Sequence, residues 1–220
     1  MRVDPKDIVP FLCKATGKCC IHNIVILSSF DIFNIANNLG LTAKQLFENK
    51  ILTYRINASS FWMEPILNSR SNPSCPFLFQ NEEDKEKYLC KIYDFRPLVC
   101  RIYPLKYDKD EKNFLRFLPA ENRCNECIST DSNQSLTEYL DVGNVPALLN
   151  EFTQYFELLE KIQQADLNLE KIKKNKPAQK KFFTIQSILY ETYPSANNKL
   201  TALPFNELKL KVEEILMNTD

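Results

Sequence analysis

The sequence predicts an α+β protein that is mainly helical, with a loop-rich cysteine-cluster domain carrying small β-hairpins and helices after it. Three observations predict this. All eight cysteines lie before residue 128. Two pairs of short β-like runs stand among or just after them, each pair flanking a charged turn. The remainder of the chain repeats apolar residues at three- and four-residue spacing. The change in composition sets a boundary near residue 135, at the polar stretch Ser129 to Ser135. It divides a cysteine-cluster domain, 1–135, from a helical C-terminal region expected to pack on it, 136–220.

The elements follow in order. Ser28-Ser29-Phe30-Asp31 offers a hydroxyl cap with an acidic first turn, apolar residues from Phe30 to Leu39 recur at helical spacing, and Gly40 stands where a helix stops. Thr42 caps a second, short helix through Leu46 and Phe47. Residues 51–74, with Trp62, carry no clear period and are read as a lid or a further strand pair. Cys75–Phe79 and Lys87–Tyr93 flank the charged stretch Asn81 to Glu86 as a hairpin, and Leu105–Tyr107 faces Phe114–Leu118 across Asp108–Glu111 as another. Helical stripes follow: Leu148 to Ile162 after Pro146, Phe182 to Leu189 stopping before Tyr193-Pro194, and Phe205 to Leu216 after Pro204.

Composition limits what the chain can do. It has 220 residues, with 28 basic and 28 acidic side chains and 44% hydrophobic residues. Zero net charge argues against a grip on nucleic acid or an anionic membrane, since both need a positive field. No segment approaches the ~20 apolar residues of a spanning helix, and the charged start lacks the apolar core of a secretory signal. The expected location is cytoplasmic, where thiols stay reduced and clustered cysteines serve metal binding or thiol chemistry. The six lysines from Lys171 to Lys181 are read as a solvated face. Three glycines in the whole chain make phosphate-cradling loops a poor fit.

The candidate site is the set Cys13, Cys19, Cys20, Cys75, Cys90, Cys100, Cys124 and Cys127. Thiolates are soft donors that select zinc or iron–sulfur clusters over calcium or magnesium. Cys124 and Cys127 are the one close pair of the zinc-ribbon kind, and they are read as a second site or as completion of the first. Adjacent Cys19 and Cys20, taken as extended backbone, would point to opposite sides, so that they serve two sites or one ligates while the other packs. Widely separated ligands suit the corners of an iron–sulfur cube, so a 4Fe–4S cluster is preferred, with zinc as the alternative and metal-free thiols as the third reading. A four-thiolate site is formally negative, which makes Arg96 and Arg101, flanking Cys100, the expected neighbours of the charge. Tyr93 and Tyr103 bracket the same cysteine and are read as aromatic cover, with acid–base groups as the alternative. His22, the only histidine, is an additional candidate ligand.

The run Cys13-Lys14-Ala15-Thr16-Gly17-Lys18-Cys19-Cys20, followed by Cys90 to Pro104, resembles the YkgJ-type cysteine-cluster family, described as a zinc- or iron-chelating domain with a CxxCxxCC signature. The resemblance covers roughly residues 10–127 and departs at Thr16, where the signature has its second cysteine. It implies a metal-binding protein. The cysteine-cluster region of bacterial flagellin lysine N-methylases is similar, which would imply an iron–sulfur-dependent methyltransferase using S-adenosylmethionine on a protein substrate. A thiol redox sensor or interaction scaffold working through Cys124 and Cys127 is the second alternative. The expected partners are accordingly a protein substrate or a redox protein, and catalytic residues and oligomeric state are open.

Overall fold

Two compact units make up the chain in the computed structural model: residues 1–25 with 69–153, and residues 26–68 with 154–220. The structure describes residues 2–21, 23–58, 60, 62–69, 74–107, 115–117, 124–129, 131–141, 144–165, 167, 172–191 and 205–217. The architecture is mainly helical α+β, with small antiparallel sheets and C-terminal helices, as the sequence predicts.

In the first unit, β1 (Arg2–Val3), β6 (Leu105–Tyr107) and β7 (Leu115–Phe117) form a three-stranded antiparallel sheet in the order β1-β7-β6. The β6–β7 hairpin is the expected one, though its turn at 108–111 lies outside the described residues. The contribution of Arg2–Val3 is new: Val3 pairs with Leu115 and is buried with it. A second hairpin joins β4 (Leu78–Gln80) to β5 (Tyr88–Cys90), setting Leu78 opposite Cys90. Pro97 starts a short helix, α3 (Leu98–Ile102), which buries Leu98 and Ile102. A capping box of Ser135 with Glu138 starts α4 (Leu136–Leu140). The Tyr107 ring stacks on Phe152, 5.3 Å between centroids, and its hydroxyl lies 2.6 Å from Thr153 Oγ1. Both partners belong to the first turns of α5 (Val145–Gln164).

The second unit begins with two helices whose starts repeat one device. Ser28 Oγ accepts the Asp31 N–H while the Asp31 carboxylate accepts the Ser28 N–H, opening α1 (Ser29–Asn38). Thr42 and Gln45 do the same for α2 (Ala43–Glu48). Residues 51–74 include a strand pair, β2 (Leu52–Ile56) with β3 (Met63–Leu67), in full antiparallel register. Asn175 caps α6 (Lys176–Tyr190), which buries Phe182, Ile185 and Leu189, and α7 (Phe205–Met217) buries Phe205, Leu208 and Val212. The core is aromatic. Trp62 meets Phe182 edge-on at 4.9 Å, and its indole N–H donates to the Tyr190 hydroxyl at 3.2 Å, which lies 2.8 Å from that of Tyr155. Among the described residues no helix is long and apolar enough to cross a membrane.

Candidate metal centre

All eight cysteines belong to the first unit, and all are thiols outside any disulfide. The loop from Cys13 to Cys20 owes its shape to two left-handed residues, Ala15 at φ 56° and Gly17 at φ 71°. Gly17 is required there twice over, since a Cβ would also stand 2.9 Å from Tyr88 Cβ. The Tyr88 N–H donates to the Ala15 carbonyl at 2.6 Å, fixing the loop to β5. After Gly17 the chain closes a 3₁₀ turn, Lys18–Cys20, in which the Cys20 N–H reaches the Gly17 carbonyl at 2.8 Å.

That turn corrects the expectation that Cys19 and Cys20 point apart. In a 3₁₀ turn successive side chains diverge by about a third of a revolution instead of half. Their sulfurs lie 3.7 Å from each other. The Cys75 N–H donates to the Cys20 carbonyl at 2.8 Å, bringing a third thiol-bearing residue alongside. Cys90 ends β5, and Cys100 lies inside α3 with its N–H on the Pro97 carbonyl at 2.8 Å.

The thiols shift one another's acidity. Hydrogen bonding from Cys20 is the main cause that draws the Cys19 thiol down to about 7, against its burial, and the Arg96 charge assists. Cys20 moves upward for the complementary reason, with burial and the charges of Cys19, Cys75 and Cys100 adding to it. The pair therefore gives up a single proton near neutrality. Burial is the main cause that raises Cys90, with Arg96 opposing and Cys19 reinforcing. Cys19, Cys20, Cys75, Cys90 and Cys100 form one electrostatic neighbourhood.

The remaining three thiols gather around a second 3₁₀ turn, Asn125–Cys127, whose flanking Cys124 and closing Cys127 are buried. Lys18 pins this turn through Glu126 at 2.6 Å. The Lys14 N–H points to Cys127 Sγ at 3.4 Å, and the Leu12 N–H to the Cys127 carbonyl at 2.8 Å. Burial is the main cause that raises Cys127, and the Cys124 and Cys13 charges add to it. Thr16 Oγ1 lies 3.8 Å from Cys124 Sγ, and Cys124 helps to lower the Cys19 thiol, which ties the two groups of thiols electrostatically. Cys13 is exposed, its sulfur accepting the Ala15 N–H at 3.4 Å.

The neighbours of the thiols differ from one another in role. The Arg96 guanidinium lies 3.8 Å above the Tyr93 ring and donates from Nε to the Tyr93 carbonyl at 3.0 Å, which holds its charge where Cys19 and Cys90 sense it. Tyr93 is 58% exposed and serves as the platform for Arg96. Arg101 turns to the Leu140 carbonyl at 3.2 Å, closing the end of α4. The Tyr103 hydroxyl accepts the Cys124 N–H at 3.3 Å, while its ring packs edge-on against Phe11. The Tyr139 hydroxyl donates to the Tyr103 carbonyl. His22 lies outside the described residues. Thr16, Lys14 and Tyr139 were not among the expected neighbours, because contacts to a residue 36 to 113 positions away leave no local signal.

The donor set suits a soft metal in chemistry: eight reduced sulfurs, one of them acidic near neutrality. The sulfurs do not stand in a closed cage, since among the described residues no three of His, Cys, Asp or Glu converge in metal-holding geometry. Loading this centre therefore means drawing thiols together.

Residues 12–125 match the family named CxxCxxCC, a putative zinc- or iron-chelating domain. The chain belongs to the CxxCxxCC family. The match takes in seven of the eight cysteines of this CxxCxxCC protein and leaves Cys127 outside. No curated protein and no solved structure matches the chain.

Proposed function

We propose that this CxxCxxCC protein is a thiolate metal-binding protein in which Cys19 and Cys20 hold one zinc or iron ion together, with further ligands drawn from Cys75, Cys90 and Cys100. The observation that carries this reading is the 3.7 Å between the Cys19 and Cys20 sulfurs. In a tetrahedral zinc site with Zn–S bonds of about 2.3 Å, sulfurs stand roughly 3.8 Å apart. Thiolates on different irons of a four-iron cube stand farther apart, so the pair favours a single ion, and zinc before iron. Bound there, the metal supplies folding energy to a loop-rich unit. Arg96, anchored on Tyr93, offsets the negative charge of the thiolates, and the Gly17 turn presents both sulfurs to the same side.

A 4Fe–4S cluster is the second reading. It is favoured by the spread of the interacting thiols along the chain, from Cys19 to Cys100, which suits the separated corners of an iron–sulfur cube.

Anaerobic purification, elemental analysis and an absorbance spectrum of one sample test both. The expected result is near-stoichiometric zinc in a colourless protein, lost in Cys19→Ser and Cys20→Ser. Iron with acid-labile sulfide and a broad band near ~400 nm would replace it with the cluster. Wild-type protein that takes up neither metal, even after reconstitution, would reject the thiolate centre altogether.

A further inference from the structure

The CxxCxxCC signature places its second cysteine at position 16, and this chain has Thr16 there. The fold shows what surrounds that gap. Thr16 Oγ1 faces Cys124 Sγ at 3.8 Å. A hydroxyl is a hard donor of very weak acidity, so it makes a poor partner for a metal that thiolates select, and a good hydrogen-bond partner for a thiolate. Cys127 stands beyond the matched 12–125 region. It is 1% exposed, and its N–H donates at 2.8 Å to the carbonyl of the same Cys124 that Thr16 faces. It is also fastened to the segment that carries the gap: Leu12 N–H meets its carbonyl at 2.8 Å and Lys14 N–H its sulfur at 3.4 Å. The missing thiol and the additional one therefore face one place, on the Cys13–Cys124 side of the centre.

We infer that Cys127 supplies the thiolate that position 16 lacks, so that Cys13, Cys124 and Cys127 together ligate a thiophilic metal ion while Thr16 hydrogen-bonds to Cys124. The inference rests on the thiolate centre proposed above and adds a second ion place beside it. On binding, each thiol that becomes a ligand releases its proton to solvent and forms a metal–sulfur bond. The three sulfurs close up to do so, and Cys13 is the exposed one of the three.

The test is an anaerobic cobalt(II) titration of the metal-free full chain, cobalt standing in for zinc as a coloured probe. Its sulfur-to-cobalt charge-transfer intensity reports the number of thiolate ligands. Cys127→Ser is expected to lose part of that intensity and to bind cobalt at least about tenfold more weakly at this place, since even residues behind the ligands cost that much. Thr16→Cys/Cys127→Ser is expected to regain both.

Wild-type binding in Cys127→Ser would overturn the inference, and so would a loss that the double variant does not restore when its metal-free melting temperature equals that of the wild type. Should the double variant melt lower, Thr16→Cys alone decides. Unchanged intensity there supports one shared ligand place, and added intensity overturns it. Failure of wild-type protein to bind cobalt at all would be a different outcome, removing the underlying centre as well.

Discussion

The two units are built from opposite materials. Residues 26–68 and 154–220 place long side chains in register: Phe182, Ile185 and Leu189 along α6, Phe205, Leu208 and Val212 along α7, with Trp62 and Tyr190 sealed among aromatic rings. The cysteine-bearing unit uses strands of two or three residues and loops whose conformation depends on Gly17 and on backbone hydrogen bonds such as Tyr88 to Ala15 and Cys75 to Cys20. Burial of apolar area stabilises the one at about 25 cal/mol per Å². The other also buries Val3, Leu98, Ile102 and Leu115, and adds eight reduced thiols to them. Crowded thiols and the large aromatic core thus fall on different parts of one chain.

Metal removal should break the comparison most severely. If the centre is structural, its loss withdraws on the order of 10 kcal/mol of apparent binding energy from the cysteine-bearing unit. Hydrogen exchange before and after chelation should show protection collapsing around residues 12–20, 74–90 and 124–129 and persisting in α6 and α7. Equal loss in both sets would sink the division of labour.

The converse is a core truncation. Phe182 is fully buried against Trp62, so Phe182→Ala should cost about 3–5 kcal/mol. Thermal melting should fall while metal content per folded molecule holds, and a parallel loss of metal would contradict the assignment of roles.

The smallest effect is electrostatic. The Cys19 thiol is drawn to about 7, by Cys20 first and then by Arg96. Removing the cation in Arg96→Gln disfavours the thiolate, so the midpoint must rise. In metal-free protein, alkylation of Cys19 at pH 7 should slow by a few-fold, and above about pH 9, where the thiolate forms in both proteins, the rates should converge. A midpoint that stays put would show that Arg96 and Cys19 do not interact.

Much of the fold could be read in advance, and the exceptions have physical causes. Helices α1, α2, α5, α6 and α7 were legible because their signals are local: a hydroxyl cap with an acidic first turn at Ser28 to Asp31, the cap Thr42, apolar stripes at helical spacing. The β4–β5 and β6–β7 hairpins were legible from β-like runs around charged turns. Residues 51–74 were not, in part because β3 contains Pro65, a residue that ordinarily argues against a strand. It is accommodated here as its carbonyl accepts the Leu27 N–H at 2.9 Å. Helix α3, five residues long, is too short to show a period.

At the site, the identity of the thiols was plain from their crowding, but their arrangement was not. The opposed orientation of Cys19 and Cys20 followed from assuming extended backbone, whereas Gly17 at positive φ starts a tight turn. The compositional boundary near 135 follows cysteine content, while the compact units interleave along the chain. The two partitions answer different questions, since pairing such as Ile26 with Ile66 leaves no mark on composition.

The chain has one tryptophan, and it belongs to the unit without cysteines. Trp62 is 3% exposed, and its indole nitrogen donates to a phenol. Its emission is consequently a built-in label for one half of the chain's stability: it reports the melting of the aromatic core and carries no direct record of the thiol-bearing loops. Far-ultraviolet dichroism sums both. A dichroism change at constant emission wavelength would therefore single out unfolding of the cysteine-bearing unit without any added dye or engineered residue.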